Sequence, residues 1–142
     1  MTDQDASLQT IAHGGRTYAI CIRRHHRWDQ TRFLTGDGDP MQLGLLAYGS
    51  GDEIRAHVHG TDERRINTMT EVLFCVEGKL RFTFYDPEAQ WAQVAQCTVQ
   101  AGDLLFVLAG GHGGQALEPS RLIEIKQGPF LGAGDKTYHP GS

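Results

Sequence analysis

A chain of 142 residues suits one domain and hardly two, and it is long enough to bury a core without disulfide or metal staples. A net charge of −4, from 13 Lys and Arg against 17 Asp and Glu, excludes the basic footprint that nucleic acid or an anionic membrane surface requires. The three cysteines, Cys21, Cys75 and Cys97, include no CxxC and read as small core hydrophobes, while the polar start MTDQDASLQT and the absence of any run of about 18 apolar residues predict a soluble, cytoplasmic chain.

Taken in chain order, the sequence reads as short β-runs divided by glycine-rich turns. The one expected helix is short and lies near Asp3–Ile11. TYAICIRR (Thr17–Arg24) alternates, with Tyr18, Ile20 and Ile22 on one face. RRHHR (Arg23–Arg27) reads as a solvated loop or edge. MQLGLLAY (Met41–Tyr48) is a second run, reached through the turn GDGDP. EVLFCVE and KLRFTFYD flank Gly78 and predict a hairpin, with Leu80, Phe82 and Phe84 on one face of its second arm. YDPEAQ reads as a hairpin loop; Gln90–Gln100 after it alternates less cleanly and also admits a helix. DLLFVLA (Asp103–Ala109) is a continuous apolar run of the length of a buried strand. SRLIEIKQG (Ser120–Gly128) is the last strong run, and the turn-rich tail PFLGAGDKTYHPGS is expected to wrap the surface. Many short strands with little helical periodicity predict an all-β barrel or sandwich. It would be a single domain over 1–142, its core about 17–127, with an N-terminal arm and a C-terminal tail.

The chemistry concentrates in AHVHGTDERRINTMTEVLF (Ala56–Phe74). His57 and His59 stand at i and i+2 in a segment that reads as a strand, so both imidazoles fall on one face, an arrangement that suits a borderline metal ion. Glu71 opens the next strong strand. His112 stands in the glycine-rich GGHGG, read as a turn after DLLFVLA. Neighbouring strands of a barrel can bring these four together as a mixed nitrogen and oxygen site with open positions.

The order HxH…E-x6-G…G-D…H resembles the two motifs of the cupin superfamily. The match runs over roughly Met41 to Gln127, with Gly78 as the glycine after the glutamate and Gly102–Asp103 as the start of the second motif. The resemblance implies a jelly-roll β-barrel, a homodimer, and one divalent transition metal (Mn, Fe, Ni, Cu or Zn) held by His57, His59, Glu71 and His112. Two departures stand out. The gap from His59 to Glu71 is longer than the family's, and Glu63 meets the short spacing instead; Glu71 is favoured because a strand and a glycine follow it. In the second motif Leu108 replaces the usual proline, and His112 comes one residue early.

GTDERRINTM then becomes an insertion at the barrel mouth. Arg65 and Asn67 would face a bound ligand, Arg65 favoured over Arg64 because Ile66 and Met69 look anchored beside it. Gln42, Tyr85 and Lys126 are polar positions inside apolar runs and are candidate substrate contacts. Glu124 and Lys126 share a face that is either lumen or solvent. His13, His25, His26 and His139 read as turn or surface residues. The expected function is an enzyme on a small polar metabolite, sugar-derived or anionic, as a dioxygenase or an isomerase or epimerase. The alternative is a non-catalytic binding or sensing protein.

Overall fold

A computed structural model describes residues 6–141. It is all-β, with ten strands in three antiparallel sheets: β1 (Leu8–His13), β2 (Arg16–Ile22), β3 (Arg32–Phe33), β4 (Gly44–Leu45), β5 (Glu71–Glu77), β6 (Lys79–Asp86), β7 (Ala92–Gln100), β8 (Leu104–Val107), β9 (Gly111–Ala116) and β10 (Arg121–Lys126). The chain divides into two compact units. One takes in Met1–His26 and Met69–Ser142, as far as these are described, and the other is Arg27–Thr68. Among the described residues the helical content is two 3-10 turns, Pro87–Ala89 and Ala133–Asp135, and no helix is long and apolar enough to cross a membrane.

The first unit is two sheets around one core. The five-stranded sheet has the order β1-β2-β8-β5-β10 and the three-stranded sheet the order β7-β6-β9. Alternation along each strand selects the inward side chains. Ile11, Tyr18, Ala19, Cys21, Cys75, Leu105 and Val107 from the first sheet meet Phe82, Phe84, Cys97 and Val99 from the second. A fully buried Leu or Phe such as Leu105 or Phe84 contributes about 1.5–3 kcal/mol through removal from water. All three cysteines are buried, in keeping with their reading as small hydrophobes.

Register sets the inner face row by row. Ala19, Val107, Glu71 and Lys126 lie opposite one another across β2, β8, β5 and β10; Cys21, Leu105, Leu73 and Glu124 form the next row. Opposed residues of an antiparallel pair project to the same side. Glu71 and Lys126 therefore stand on the same face as the core residue Val107, and Glu124 follows them. Of the two alternatives for the Glu124 and Lys126 face, the inner one holds. Ile123 and Ile125, on the other face of β10, are exposed.

Several expectations change. Leu8–His13 of the N-terminal region is a strand, while residues 3–5 of the expected short helix lie outside the described residues. EVLFCVE and KLRFTFYD are not a hairpin: β5 pairs with β8 and β10, and β6 with β7 and β9. Gly78 is the corner where the chain passes from one sheet to the other. Its φ is +84°, and a Cβ there would lie 2.2 Å from the Pro119 carbonyl oxygen, so glycine is required twice over. Of Gln90–Gln100, left open between strand and helix, Ala92–Gln100 forms β7, and YDPEAQ is the hairpin loop expected there, joining β6 to β7. Arg23 is not solvated but buried, donating to the Thr98 carbonyl, to Asp103 Oδ2 at 3.2 Å and to Gln9 Oε1 at 3.2 Å.

The second unit carries less regular structure. Its ladder is β3 with β4, Arg32 opposite Leu45 and Phe33 opposite Gly44. Trp28 Nε1 donates to the Leu46 carbonyl at 2.8 Å, and Ala47 N donates to Thr31 Oγ1 at 3.0 Å. Of the run Met41–Tyr48 only Gly44–Leu45 is strand. The segment holding His57 and His59, expected as a strand, has no ladder partner among the described residues, and Val58 between the two histidines is exposed.

Candidate functional site

Between the sheets of the first unit opens a cavity of about 1190 Å³. Leu73, Leu80, Phe82, Val107 and Leu122 give it apolar walls. Glu71, His112, Glu124, Lys126, Tyr85 and His139 place polar groups against them. A largely apolar concavity with a few convergent polar groups is the usual form of a small-molecule site.

Glu71 and His112 meet in its wall. Glu71 opens β5 and faces inward in the row described above. His112 lies in β9 opposite the core residue Phe84, and so points inward from the other sheet. His112 Nε2 and Glu71 Oε2 are 2.9 Å apart, with side chains 29% and 10% exposed. The hydrogen bond to His112 holds the Glu71 carboxyl below the usual carboxylate range, against the upward push of burial; the charge of Lys126 helps lower it. Lys126 Nζ lies 3.5 Å from Glu124 Oε2.

His112 is on a strand, not in the expected turn. GHGGQA lacks any apolar alternation, yet pairing with β6 makes it β9. Its glycines have individual reasons. At Gly110, with φ +73°, a Cβ would lie 2.1 Å from the Tyr18 ring, and at Gly111 it would lie 2.6 Å from the Trp91 ring. Two aromatic rings pack against bare backbone on the approach to His112.

The predicted site residues fall into two sets. Glu71, His112, Tyr85 and Lys126 all line the cavity of the first unit. His57, His59, Gln42, Arg65 and Asn67 belong to the second unit. There the His57 and His59 rings are 4.9 Å apart, edge to face, and His57 Nδ1 lies 2.7 Å from the Arg55 carbonyl oxygen. Arg65 is exposed and pairs with Glu63 at 3.2 Å, and Ile66 and Met69 beside it are exposed rather than anchored. Asn67 is exposed. The Gln42 amide donates to the carbonyls of Gly36 and Asp39 and its oxygen accepts from Thr35, so it serves a local turn. Among the described residues no group of three or more His, Cys, Asp or Glu side chains is placed to hold a metal ion. Glu71 and His112 do converge from different sheets, and a carboxylate with an imidazole is a donor pair that suits a borderline divalent metal.

Two cavity residues carry no sign in the sequence of belonging to a site. Trp91 follows a hairpin loop among polar residues, and His139 stands alone in the tail. Both line the cavity beside Tyr85. Comparison of the chain with protein-family models, with curated proteins and with solved structures yields no match.

Proposed function

We propose that the chain is a cupin-like, jelly-roll protein that holds one divalent transition metal and receives a small polar metabolite in the cavity of its first unit. The observation that carries this reading is the Glu71–His112 pair. Two residues far apart in sequence, both matching the ligand pattern of the resemblance, meet at 2.9 Å in the wall of a ligand-sized cavity. The resemblance also counts His57 and His59 among the ligands, and they lie in the second unit. A bound metal would supply Lewis-acid polarisation or activation of water or oxygen, as suits a dioxygenase or an isomerase or epimerase. The chain's own residues do the rest. Leu73, Phe82 and Val107 give the cavity an apolar wall, and Lys126 and Tyr85 offer a cation and a hydroxyl for orienting a polar or anionic ligand. A non-catalytic binding or sensing role is favoured by one feature: in the cavity wall Glu71 is already hydrogen-bonded to His112, and Glu124 is paired with Lys126.

Metal analysis of the untagged protein tests the site. The parent is expected to carry stoichiometric metal. Glu71→Ala combined with His112→Ala should lose it, and so should His57→Ala combined with His59→Ala. Full metal content in either double variant removes that pair from the ligand set.

A further inference from the structure

The wall of the cavity contains an aromatic cluster that the ligand set does not use. Tyr85 ends the regular part of β6, just after a register shift against β7, and stands opposite Gly111 of β9. The hairpin beyond it makes a 3-10 turn, Pro87–Ala89, capped by Asp86, whose Oδ1 accepts from Glu88 N at 3.0 Å. The chain then places two successive non-glycine residues in the left-handed region, Gln90 at φ 57° and Trp91 at φ 60°. For a residue as bulky as tryptophan that conformation is an outlier. Its result is to lay the indole over Gly111, where any side chain would collide with it. The Tyr85 and Trp91 rings stand 6.3 Å apart, tilted by 56°, as two sides of an aromatic corner.

A third ring of this chain packs against both and closes the cluster. The His139 imidazole lies 5.1 Å from the Tyr85 ring and 5.4 Å from the Trp91 ring, tilted to the first and edge-on to the second. These are the separations and angles that aromatic pairs favour. The ring is oriented from its own segment, with Gly141 N donating to His139 Nδ1 at 3.0 Å. Asp135 to His139 line the same cavity, so the tail forms part of its wall.

We propose that Tyr85 and Trp91 form a subsite for a planar nitrogen heteroaromatic ring, and that His139 fills this subsite until a ligand displaces it. The occupant indicates the class: a flat, small, polar-edged ring packs against both a phenol and an indole at the cavity wall. The inference rests on the reading of the cavity as a ligand site and narrows the ligand to one that carries such a ring. The tail then competes with it, and removing the competitor raises apparent affinity by the inverse of the fraction of open subsites.

Isothermal titration calorimetry of the full chain with benzimidazole tests this, on the parent, His139→Ala and Trp91→Ala. Saturable binding is expected in the parent, about tenfold tighter in His139→Ala if the imidazole fills the subsite about nine-tenths of the time. It should be lost in Trp91→Ala. Equal affinity in parent and His139→Ala, binding that survives Trp91→Ala in a folded protein, or no saturable binding in parent and His139→Ala overturns the proposal. Should Trp91→Ala fail to fold, the comparison of His139→Ala with the parent decides alone. Metal content measured on the same samples separates the two readings: retained metal without ring binding removes the subsite only, and ring binding without metal removes the metal centre only.

Discussion

Arg23 and Asp103 form an ion pair inside the first unit, their side chains 9% and 1% exposed. Asp103 also accepts from Arg24 N at 2.9 Å and from Gln100 N at 3.1 Å, so one carboxylate ties β2, β7 and the approach to β8. The aspartate of the second motif is thus a structural clamp. Its removal leaves a buried guanidinium uncompensated, and Asp103→Ala is expected to lower stability by about 3–5 kcal/mol in urea unfolding. A loss under about 1 kcal/mol would mean that the pair is solvated. The same guanidinium reaches Cys97 Sγ at 3.6 Å. The hydrogen bond from Cys21, with the charge of Arg23, brings the Cys97 thiol down to about 7 against the opposing effect of burial, while that shared hydrogen bond and burial push Cys21 up. In the unfolded chain both thiols ionise near about 8.5. Between these values the folded protein holds fewer protons than the unfolded one, so stability rises with pH; it is lost again as pH falls through about 7. Above the unfolded value Cys21 keeps a proton that the unfolded chain has released, and the slope reverses. Thermal unfolding across this range should show a shallow maximum that Cys97→Ala abolishes. A Tm that falls steadily from neutral pH upward in the parent would remove the Cys97 assignment.

The elements depend on their glycines unequally. Gly110 combines φ +73° with the Tyr18 ring against its backbone, whereas Gly113 has nothing within 4 Å and no positive φ. Gly110→Ala should destabilise by more than about 1 kcal/mol, and Gly113→Ala should be neutral or stabilise by about 0.5–1 kcal/mol, since alanine loses less backbone entropy in a strand. Similar unfolding midpoints for the two would show that Tyr18 yields. The contrast also marks how much of the fold the sequence carried. Where apolar side chains alternate, as in β2 and β6, or run continuously, as in β8, strand position was legible because burial alone selects it. β9 was hidden, because GHGGQA has almost no side chains to bury and owes its strand form to β6 alone. The hairpin expected at Gly78 failed for a related reason: a glycine with positive φ serves a corner between sheets as well as a turn within one. Charge misled at Arg23, whose partner Asp103 lies in a different part of the sequence. Glu71 and His112 were singled out by their spacing, and the structure brings their side chains together at 2.9 Å. Trp91 and His139 were not, since their proximity comes from a left-handed hairpin exit and the path of the tail.

At the scale of the whole molecule, the resemblance carries a homodimer, and one surface of the first unit suits it. β10 is an edge strand, and its inner face is taken by Glu124 and Lys126. Its outer face presents Ile123 and Ile125, 53% and 57% exposed. β5 continues the strip with Phe74 opposite Ile123, and with Val76, both exposed. An apolar strip along an unprotected edge is what a sheet protein ordinarily covers or charges. A second copy related by a two-fold axis would cover it with the same residues, so a single strip suffices for both partners. Light scattering at micromolar concentration is expected to give twice the chain mass. Ile123→Glu sets a charge in the middle of the strip and should return the protein to a monomer with its strand content by circular dichroism intact, because that side chain contributes nothing to the core cluster. A parent that is monomeric at that concentration ends the dimer expectation. A dimer that survives Ile123→Glu places the interface on another surface, and the strip must then be held by something other than this chain.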